Sequence, residues 1–198
     1  MSKGAALFSA PGLRARELAA SDLPALQAFF DANPEYWLDV NGKRPPPDLA
    51  RTEFDERPPP YLPFDKNWVT GLFDDDDVLT GAAIFVSGFT AAPIWHLALF
   101  IVATRRRGSG WAWRAYTALE QWMHERGCRW LRLGVVQGNA AAERFWQRQG
   151  FVETRVREGV DTGGRLHTIR VMVKPLAGGS LDDYLALAPR DRRGSALP

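Results

Sequence analysis

The fold is decided by residues 102–151, which read VATRRRGSGWAWRAYTALEQWMHERGCRWLRLGVVQGNAAAERFWQRQGF. The pattern is the end of an apolar strand, a glycine-rich turn, a helix, a second strand and a second helix. Gly108 and Gly110 carry no Cβ, so the backbone of the turn can approach an anion closely and adopt positive φ. The unpaired N–H groups and the dipole of the following helix add to that attraction. The segment therefore predicts a pyrophosphate site between strand and helix.

Several features of this segment occur in a fixed order. In chain order they are Val102, the pattern R-x-x-G-x-A at 107–112, Asn139, Phe145 and the pair Gly150-Phe151. This order resembles that of the GCN5-related N-acetyltransferases, which bind acetyl-CoA through the glycine-rich loop. The resembling stretch is about a quarter of the chain, and a full set in order is more specific than a lone glycine motif.

The resemblance implies acetyl-CoA as the cofactor. In the family, the acetyl-pantetheine arm lies between two splayed parallel strands and the pyrophosphate lies on the loop. The residues implied to bind it are Phe100, Ile101, Val102, Arg107, Gly108, Ser109, Gly110, Trp111, Ala112, Asn139 and Phe145. For two of them a simpler role stays open, since Asn139 is a good helix cap and Phe145 suits a core. A backbone N–H of the strand would polarise the thioester carbonyl.

His96 is the candidate catalytic base. It is the only histidine on the predicted central strand and lies six residues before Val102. Several members of the resembled family place a glutamate or histidine at that distance. Histidine titrates near neutral pH, so it can accept a proton from an ammonium group. The alternative is a histidine satisfied by the backbone of the sheet, and His124 and His167 are expected to be structural or exposed.

Trp146 departs from the family pattern. Many relatives carry tyrosine there, and its hydroxyl protonates the leaving thiolate, whereas an indole N–H is not an acid of useful strength. A thiol pKa near ~8.5 makes protonation by water easy, so an acid is not essential. Tyr36 or Tyr61 is an alternative acid, and CoA binding without efficient catalysis also stays open.

Tyr36, Trp37 and Tyr61 are the candidate residues for the acceptor pocket. They lie in an irregular segment from Glu35 to Pro63, where prolines bracket one short helix at 48–56. Loops on a rigid scaffold commonly hold binding residues. Covering the core is the equally supported alternative.

Periodicity predicts the element order βα(α)βββαβαββ. We expect an α/β (α+β) fold like that of the resembled family, with a mixed, mostly antiparallel sheet of six to seven strands and helices on both faces. The parallel pair should be the two strands joined by the helix at 109–126, because a helical crossover returns the chain in the same direction. Residues 1–12 are expected to form an arm, 13–175 a single acyltransferase domain, and 176–198 a short helix, capped by Ser180, with a basic mobile tail.

Composition excludes several classes of protein. The 198 residues carry 25 basic and 23 acidic side chains, a net charge of +2, which makes no general case for nucleic-acid binding. The single cysteine, Cys128, excludes an internal disulfide. No apolar run is long enough to span a bilayer and no signal peptide is evident, so a cytoplasmic protein is expected. The run Asp74–Asp77 is expected to be a solvated hairpin turn, and no metal site is predicted.

Three hypotheses about function follow. The first is an acetyl-CoA-dependent N-acetyltransferase acting on a primary amine of a small molecule or peptide, in a ternary complex. The second is a catalytically weak acyl-CoA-binding or sensing module, motivated by Trp146. The third is a nucleic-acid partner, suggested only by the arginines at 105–107 and in the tail at 190–193. The identity of the amine is not readable, and a homodimer stays open.

Overall fold

A computed structural model of the chain describes residues 5–176 and 178–197. Its strands form one sheet in the order β1-β2-β3-β4-β5-β6-β8-β7. The strands are β1 (Ala6–Ala10), β2 (Leu13–Glu17), β3 (Lys66–Phe73), β4 (Leu79–Ser87), β5 (Ile94–Val102), β6 (Trp130–Val136), β7 (Val152–Asp161) and β8 (Leu166–Pro175). The helices are α1 (Leu23–Ala32), α2 (Glu35–Asn41), α3 (Leu49–Asp55), α4 (Trp111–Glu125), α5 (Ala140–Arg148) and α6 (Leu181–Leu187).

The sheet has eight strands, whereas six to seven were expected. The additional strand is β1, at one edge of the sheet. This strand lies in the predicted arm, of which residues 1–4 fall outside the described part. It runs antiparallel to β2 across a tight turn, with Ala10 opposite Leu13. Gly12 adopts φ +73° in that turn, a conformation that glycine takes without steric cost.

The parallel pairing is where the sequence predicts it. β5 and β6, joined by α4, are the parallel pair, and the other neighbouring strands of the described chain are antiparallel. The parallel register runs from Ile94 opposite Trp130 to Leu97 opposite Leu133 and then stops. Both strands nevertheless continue, to Val102 and Val136. On its far side β6 pairs with β8, which lies between β6 and β7.

Helices cover both faces of the sheet, as predicted. On the face we call the α4 face, Tyr116 and Trp122 of α4 and Trp146 of α5 pack against Leu97 and Leu133 of the sheet. The opposite face, which we call the α1 face, is covered in two places. Helices α1 to α3 form one core with β3, β4 and the end of β5. Helix α6 forms another with the start of β5 and with β6 and β8.

Helix α2 was not predicted, because Glu35 to Asn41 was expected to be irregular. The helix follows Pro34 and ends at Gly42, which adopts φ +70°. The helix has only seven residues. A segment of this length is too short for its apolar periodicity to predict a helix. Trp37 is 5% exposed and joins the core of the α1 face, which stabilises the helix by burial rather than by propensity.

The C-terminal segment packs onto the sheet as far as Asp191. The prediction of a mobile tail is therefore wrong for the residues up to Asp191. Ser180 caps α6 as predicted, with its Oγ accepting from the Asp183 N–H at 3.1 Å. A 3-10 turn at Pro189–Asp191 follows, in which Arg190 is 7% and Asp191 0% exposed. The reason is a buried ion pair, since Arg132 Nε of β6 donates to Asp191 Oδ2 at 2.7 Å.

Two smaller features complete the fold. Among the described residues, no helix combines the length and the apolarity needed to cross a membrane. Cys128 is a buried free cysteine, and burial raises the pKa of its thiol to about 12, which suits a packing residue.

We predict that Asp191→Asn lowers the free energy of unfolding by about 3–5 kcal/mol, because Arg132 is left buried without its carboxylate. Burial alone would raise the pKa of Asp191, but the charge and hydrogen bonds of Arg132 and a hydrogen bond from Tyr184 hold it below its usual value. The contribution is therefore complete above the unfolded-state pKa of about 3.9 and is lost as pH falls below it. Urea unfolding at neutral and acidic pH measures both effects.

The matched control is Asp182→Asn, on the exposed side of α6. We expect a change within about 0.5 kcal/mol. Equal stability of the Asp191 and Asp182 variants at neutral pH would contradict the role of the buried pair.

Candidate functional site

The candidate site is the gap between the C-terminal parts of β5 and β6. Ala98 and Gly134 are the first residues beyond the last parallel pair. Both are exposed, although the strand residues before them are mostly buried. The two strands part at the centre of the sheet, and the small side chains leave the opening free. An extended ligand can therefore lie between them.

Main-chain groups of β5 point into this gap. The Ala103 N–H donates to the Thr80 carbonyl of β4 at 2.8 Å. N–H directions alternate along a strand, so the N–H groups of Phe100 and Val102 point away from β4 and toward β6. These are two of the residues predicted to hold a cofactor. Ile101, which lies between them, faces β4 with its main chain and the core of the α1 face with its side chain.

β6 supplies the opposite edge of the gap. The Gln137 N–H donates to the Thr168 carbonyl of β8 at 2.8 Å. By the same alternation, the N–H of Val136 points toward β5. The gap is therefore lined by main-chain groups that the sheet itself does not pair, and a ligand with amide groups can take them up.

The glycine-rich turn lies at the C-terminal end of β5. Gly108 adopts φ +73° and Gly110, the N-cap of α4, adopts φ +75°. Within the described chain, no acceptor pairs with the N–H of Gly108, Gly110, Ala112 or Trp113. The Trp111 N–H contacts Ser109 Oγ at 3.4 Å. Four free donors at the start of a fifteen-residue helix form a site for an anion.

The arginines of this turn are not equivalent. Arg106 Nη2 donates to Asp74 Oδ2 at 2.9 Å, and Arg105 lies 3.9 Å from the same oxygen. The Asp74 side chain is 10% exposed, so the expectation of a solvated hairpin turn is wrong for Asp74, which anchors the loop. Arg107 is exposed and has no carboxylate within 4 Å in the described part of the chain. It is the cation of the turn that is available to an anion.

The junction of α1 and α2 holds the other side of the turn. Asn33 Oδ1 accepts from the Thr104 N–H at 2.8 Å, and Thr104 Oγ1 donates to Glu35 Oε2 at 2.6 Å. The hydrogen bond from Thr104 holds the pKa of Glu35 below its usual value. The turn is thus fixed by helices of the α1 face before any ligand binds.

Asn139 caps α5, one of the two roles that the sequence left open. Its Oδ1 accepts from the Ala142 N–H at 3.1 Å. Asn139 also lines a cleft of about 440 Å³, together with Asp39 of α2, Val136 and His167. His167 Nε2 is buried and has no hydrogen-bond partner among the described residues. The expectation for His167 was a structural or exposed residue, because nothing in a hairpin sequence shows that it reaches this cleft.

Phe145 and Trp146 pack on the α4 face. The Phe145 ring stacks on Phe100, with centroids 6.2 Å apart and planes 15° apart. Trp146 is 9% exposed and contacts Tyr116 and Phe151 edge-on. The position that carries tyrosine in many relatives is therefore filled by a core indole. Tyr116 is no substitute acid, because burial raises the pKa of its hydroxyl above the ordinary value.

His96 lies on the α1 face under the C-terminal segment. Its Nδ1 is 3.2 Å from the Arg132 carbonyl oxygen and 3.2 Å from Arg132 Nη1. Burial and the charge of Arg132 lower the pKa of His96 to about 3. The ring is therefore neutral and weakly basic at neutral pH, which favours the alternative of a histidine satisfied within the sheet. Its catalytic role stays a prediction.

The predicted acceptor-pocket residues separate into two groups. Tyr36 and Trp37 pack against the core of the α1 face, so they cover it. Tyr61 is 60% exposed. Glu53 of α3 carries no signal in the sequence, but burial and the charge of Glu56 raise its pKa to about 7. Burial and Glu53 in turn raise the pKa of Tyr36 to about 12, so these two side chains interact.

In the described residues, no cluster of three or more histidine, cysteine, aspartate or glutamate side chains is arranged to hold a metal ion. The nucleic-acid hypothesis also loses part of its support. Arg106 of the run at 105–107 is paired with Asp74, so it is not free to contact a phosphate backbone.

The model of the acetyltransferase (GNAT) family matches residues 26–151, which include the gap and the turn. No curated protein matches the chain.

Solved acetyltransferase structures share the fold. An acetyltransferase from Thermus thermophilus superposes with a TM-score of 0.62 at 24% identity, over 83% of this chain and 97% of that one. The ribosomal-protein-S18-alanine N-acetyltransferase of Escherichia coli gives 0.62 at 16%, over 86% and 97%. The spermidine N-acetyltransferase of Vibrio cholerae, in complex with CoA and spermine, gives 0.64 at 15%, over 84% and 96%. At these identities the likeness concerns the fold.

We predict that His96 stays neutral from about pH 8 down to about pH 5, because its pKa is lowered to about 3. A double variant, His124→Gln with His167→Gln, leaves His96 as the only one of the three histidines. Its ring resonances, followed by NMR through this range, should not shift. A titration midpoint near the ordinary value of about 6.5 would contradict the burial argument and restore His96 as a base.

Proposed function

Because the chain belongs to the GNAT family of acetyltransferases, we propose that it transfers the acetyl group of acetyl-CoA to a primary amine by direct attack in a ternary complex. The acceptor is an amine of a small molecule or a peptide. One observation carries the proposal: the gap between β5 and β6 ends at a turn with four N–H groups that have no partner among the described residues. The gap suits a pantetheine arm, and the turn suits a diphosphate.

The residues present fit acetyl-CoA. A diphosphate needs donors and positive charge, and a pantetheine arm needs partners for its amide groups. The groups proposed to hold them are the N–H groups of Gly108, Gly110, Ala112 and Trp113, the Arg107 guanidinium, and the main chain of Phe100, Val102 and Val136. When bound, acetyl-CoA supplies a thioester acyl group that an amine can attack.

The main chain of β5 supplies the electrostatic part of catalysis. An N–H that points into the gap is fixed by the sheet, so it does not have to reorganise as charge develops on the carbonyl oxygen. A preorganised donor of this kind is worth roughly 3–4 kcal/mol in the transition state.

We assign proton removal from the acceptor to Glu53 rather than to His96. A general base works best when its pKa lies near the working pH. The pKa of Glu53 is raised to about 7, whereas that of His96 is lowered to about 3. Glu53 of α3 also interacts electrostatically with Tyr36, one of the residues predicted to line the acceptor pocket.

The chain needs to supply no acid for the leaving sulfur. A thiol pKa near ~8.5 allows water to protonate a thiolate. Trp146 in the core is therefore compatible with turnover, although it also supports the second candidate function, an acyl-CoA-binding module without efficient catalysis. Amine-dependent release of free thiol from acetyl-CoA separates these two functions, because a binding module releases none above background hydrolysis.

We predict that Gly110→Val raises the Kd for acetyl-CoA by about tenfold or more and abolishes thiol release. A β-branched residue is strained at φ +75°, so the turn must rearrange, and the first N–H groups of α4 lose their direction. Calorimetric titration with acetyl-CoA measures the affinity.

The control is Gly127→Val at the other end of the same helix. Gly127 adopts φ +91°, and a Cβ there meets nothing within 4 Å. Both variants should lose a similar stability of about 1–2 kcal/mol, but only the Gly110 variant should lose affinity. Equal affinity in the two variants would remove the assignment of the turn as the diphosphate site.

We predict that Glu53→Gln lowers kcat/KM by about a hundredfold or more without changing the Kd for acetyl-CoA. In the unmodified protein, kcat/KM should rise with pH through about 7 as Glu53 loses its proton. Glu56→Gln removes a like charge, so the pKa of Glu53 should fall and the rise should move to lower pH. An unchanged pH profile in the Glu53 variant, or loss of the rise in His96→Gln, would contradict this assignment.

A further inference from the structure

Four arginines lie together on the α1 face, beside the gap. They are Arg132 of β6, Arg155 and Arg157 of β7, and Arg190 of the C-terminal turn. The guanidinium of Arg157 interacts electrostatically with Arg155, Arg132 and Asp191, and that of Arg190 with Arg132, Asp191 and Arg157. Arg155 also donates to the main-chain carbonyl of Arg190, which ties the turn to β7.

The sheet register places this cluster next to the opening. Arg155 is opposite Val171 of β8, which is opposite Gly134 of β6. Residues opposite each other share a face, so Arg155 and Gly134 project from the same side of the sheet. Two strand spacings of about 4.8 Å separate their backbones by about 10 Å. Arg157 occupies the next position on that face, level with Val136.

The cluster has more positive than negative charge. Asp191 is its carboxylate, and both of its oxygens are taken by Arg132, at 2.7 and 3.2 Å. Tyr184 donates to Asp191 as well. In the described part of the chain, no carboxylate lies within 4 Å of the guanidinium of Arg157 or of Arg190.

Arg190 is the least satisfied member. It is 7% exposed, and its Nε and Nη1 are buried and have no hydrogen-bond partner among the described residues. Its guanidinium lies 5.6 Å from the centre of the Phe89 ring, which compensates a cation only weakly. A buried cation without a carboxylate is costly, so a ligand anion would relieve it.

We propose that the acceptor amine carries a carboxylate, and that Arg157 and Arg190 bind this carboxylate while the amine lies at the gap near Gly134. This inference rests on the proposed function and names its substrate class: amino acids and small peptides with a free carboxylate near the amine. The planar guanidinium matches a carboxylate in two-point hydrogen bonding. The exposed Tyr61, which interacts with both arginines, adds a hydroxyl donor.

The same charges disfavour a polycation. Burial and neighbouring arginines lower the pKa of Arg157 and Arg190, which means that a further positive charge is repelled there. A polyamine, such as the spermine bound to the Vibrio cholerae enzyme, would place its distal ammonium groups against this cluster. We therefore expect this protein to prefer an acceptor that carries a negative charge over a polycation.

The test compares amines in matched pairs: glycine with glycinamide, β-alanine with β-alaninamide, and alanylalanine with its C-terminal amide. Spermidine serves as the cationic amine. We expect kcat/KM for the acid to exceed that for the amide by about tenfold or more in at least one pair, and spermidine to be poorer than that acid. Thiol release from acetyl-CoA measures the rates.

Arg157→Gln is the decisive variant, because Arg157 is only half-buried and its loss should leave the fold intact. We expect the acid-to-amide ratio to fall to within about threefold of unity. Arg190→Gln should act in the same direction. Arg148→Gln, an exposed arginine on the α4 face, is the matched control and should keep the ratio. Equal or higher rates for the amides or spermidine, or an equal loss for both members of each pair in Arg157→Gln, would overturn the inference.

The proposed function and this inference can fail separately. If acetyl-CoA binds but no amine releases thiol, the proposed function fails. Calorimetric binding of the same pairs to the CoA-loaded protein then decides the inference. Acid binding that disappears in Arg157→Gln supports it, and equal binding of acids and amides overturns it.

Discussion

The structure depends on a parallel strand pair that stays together for only four residue pairs. A sheet normally satisfies its main-chain groups through its neighbours, so parting two central strands leaves N–H and C=O groups without partners. These unpaired groups lie together at the opening beside Ala98 and Gly134, which are too small to fill it. The turn before α4 adds further N–H donors without partners among the described residues. Phe145 stacks on Phe100 of β5 on one face, and on the other face the α1–α2 junction fixes the turn that follows β5. This unsatisfied main chain is the part of the molecule that we propose as the cofactor site.

The two faces of the sheet beside this opening differ in charge. On the α4 face, aromatic side chains such as Tyr116 and Trp146 form an apolar layer. On the α1 face, beyond the helices, buried arginines surround one aspartate. An apolar layer on one side of the opening and arginines on the other would orient a ligand bound there. Burial lowers the pKa of His96, and the charge of Arg132 beside its ring lowers it further.

The sequence predicts most of the fold, because its signals are local. The glycines of the turn, the Ser180 cap and the crossover helix each determine their own geometry, and the parallel pair follows from them. The α1 face was less accessible to prediction. Arg132 and Asp191 are 59 residues apart in the chain, and neither an arginine in a strand nor an aspartate in a polar segment indicates its partner. Glu53 and His96 are similar cases, because burial sets their protonation and burial is a property of the assembled chain.

The Arg132–Asp191 pair also has a consequence for the order of assembly. β6 is made long before the turn that neutralises its arginine, so a chain emerging from the ribosome can pair its strands while that cation is still solvated. The helices of the α4 face and the glycine-rich turn are complete by then. Only when the segment after α6 has been released can the guanidinium be withdrawn from water. Burial of this ion pair is therefore a late step, which follows synthesis of the glycine-rich turn and the parallel strands.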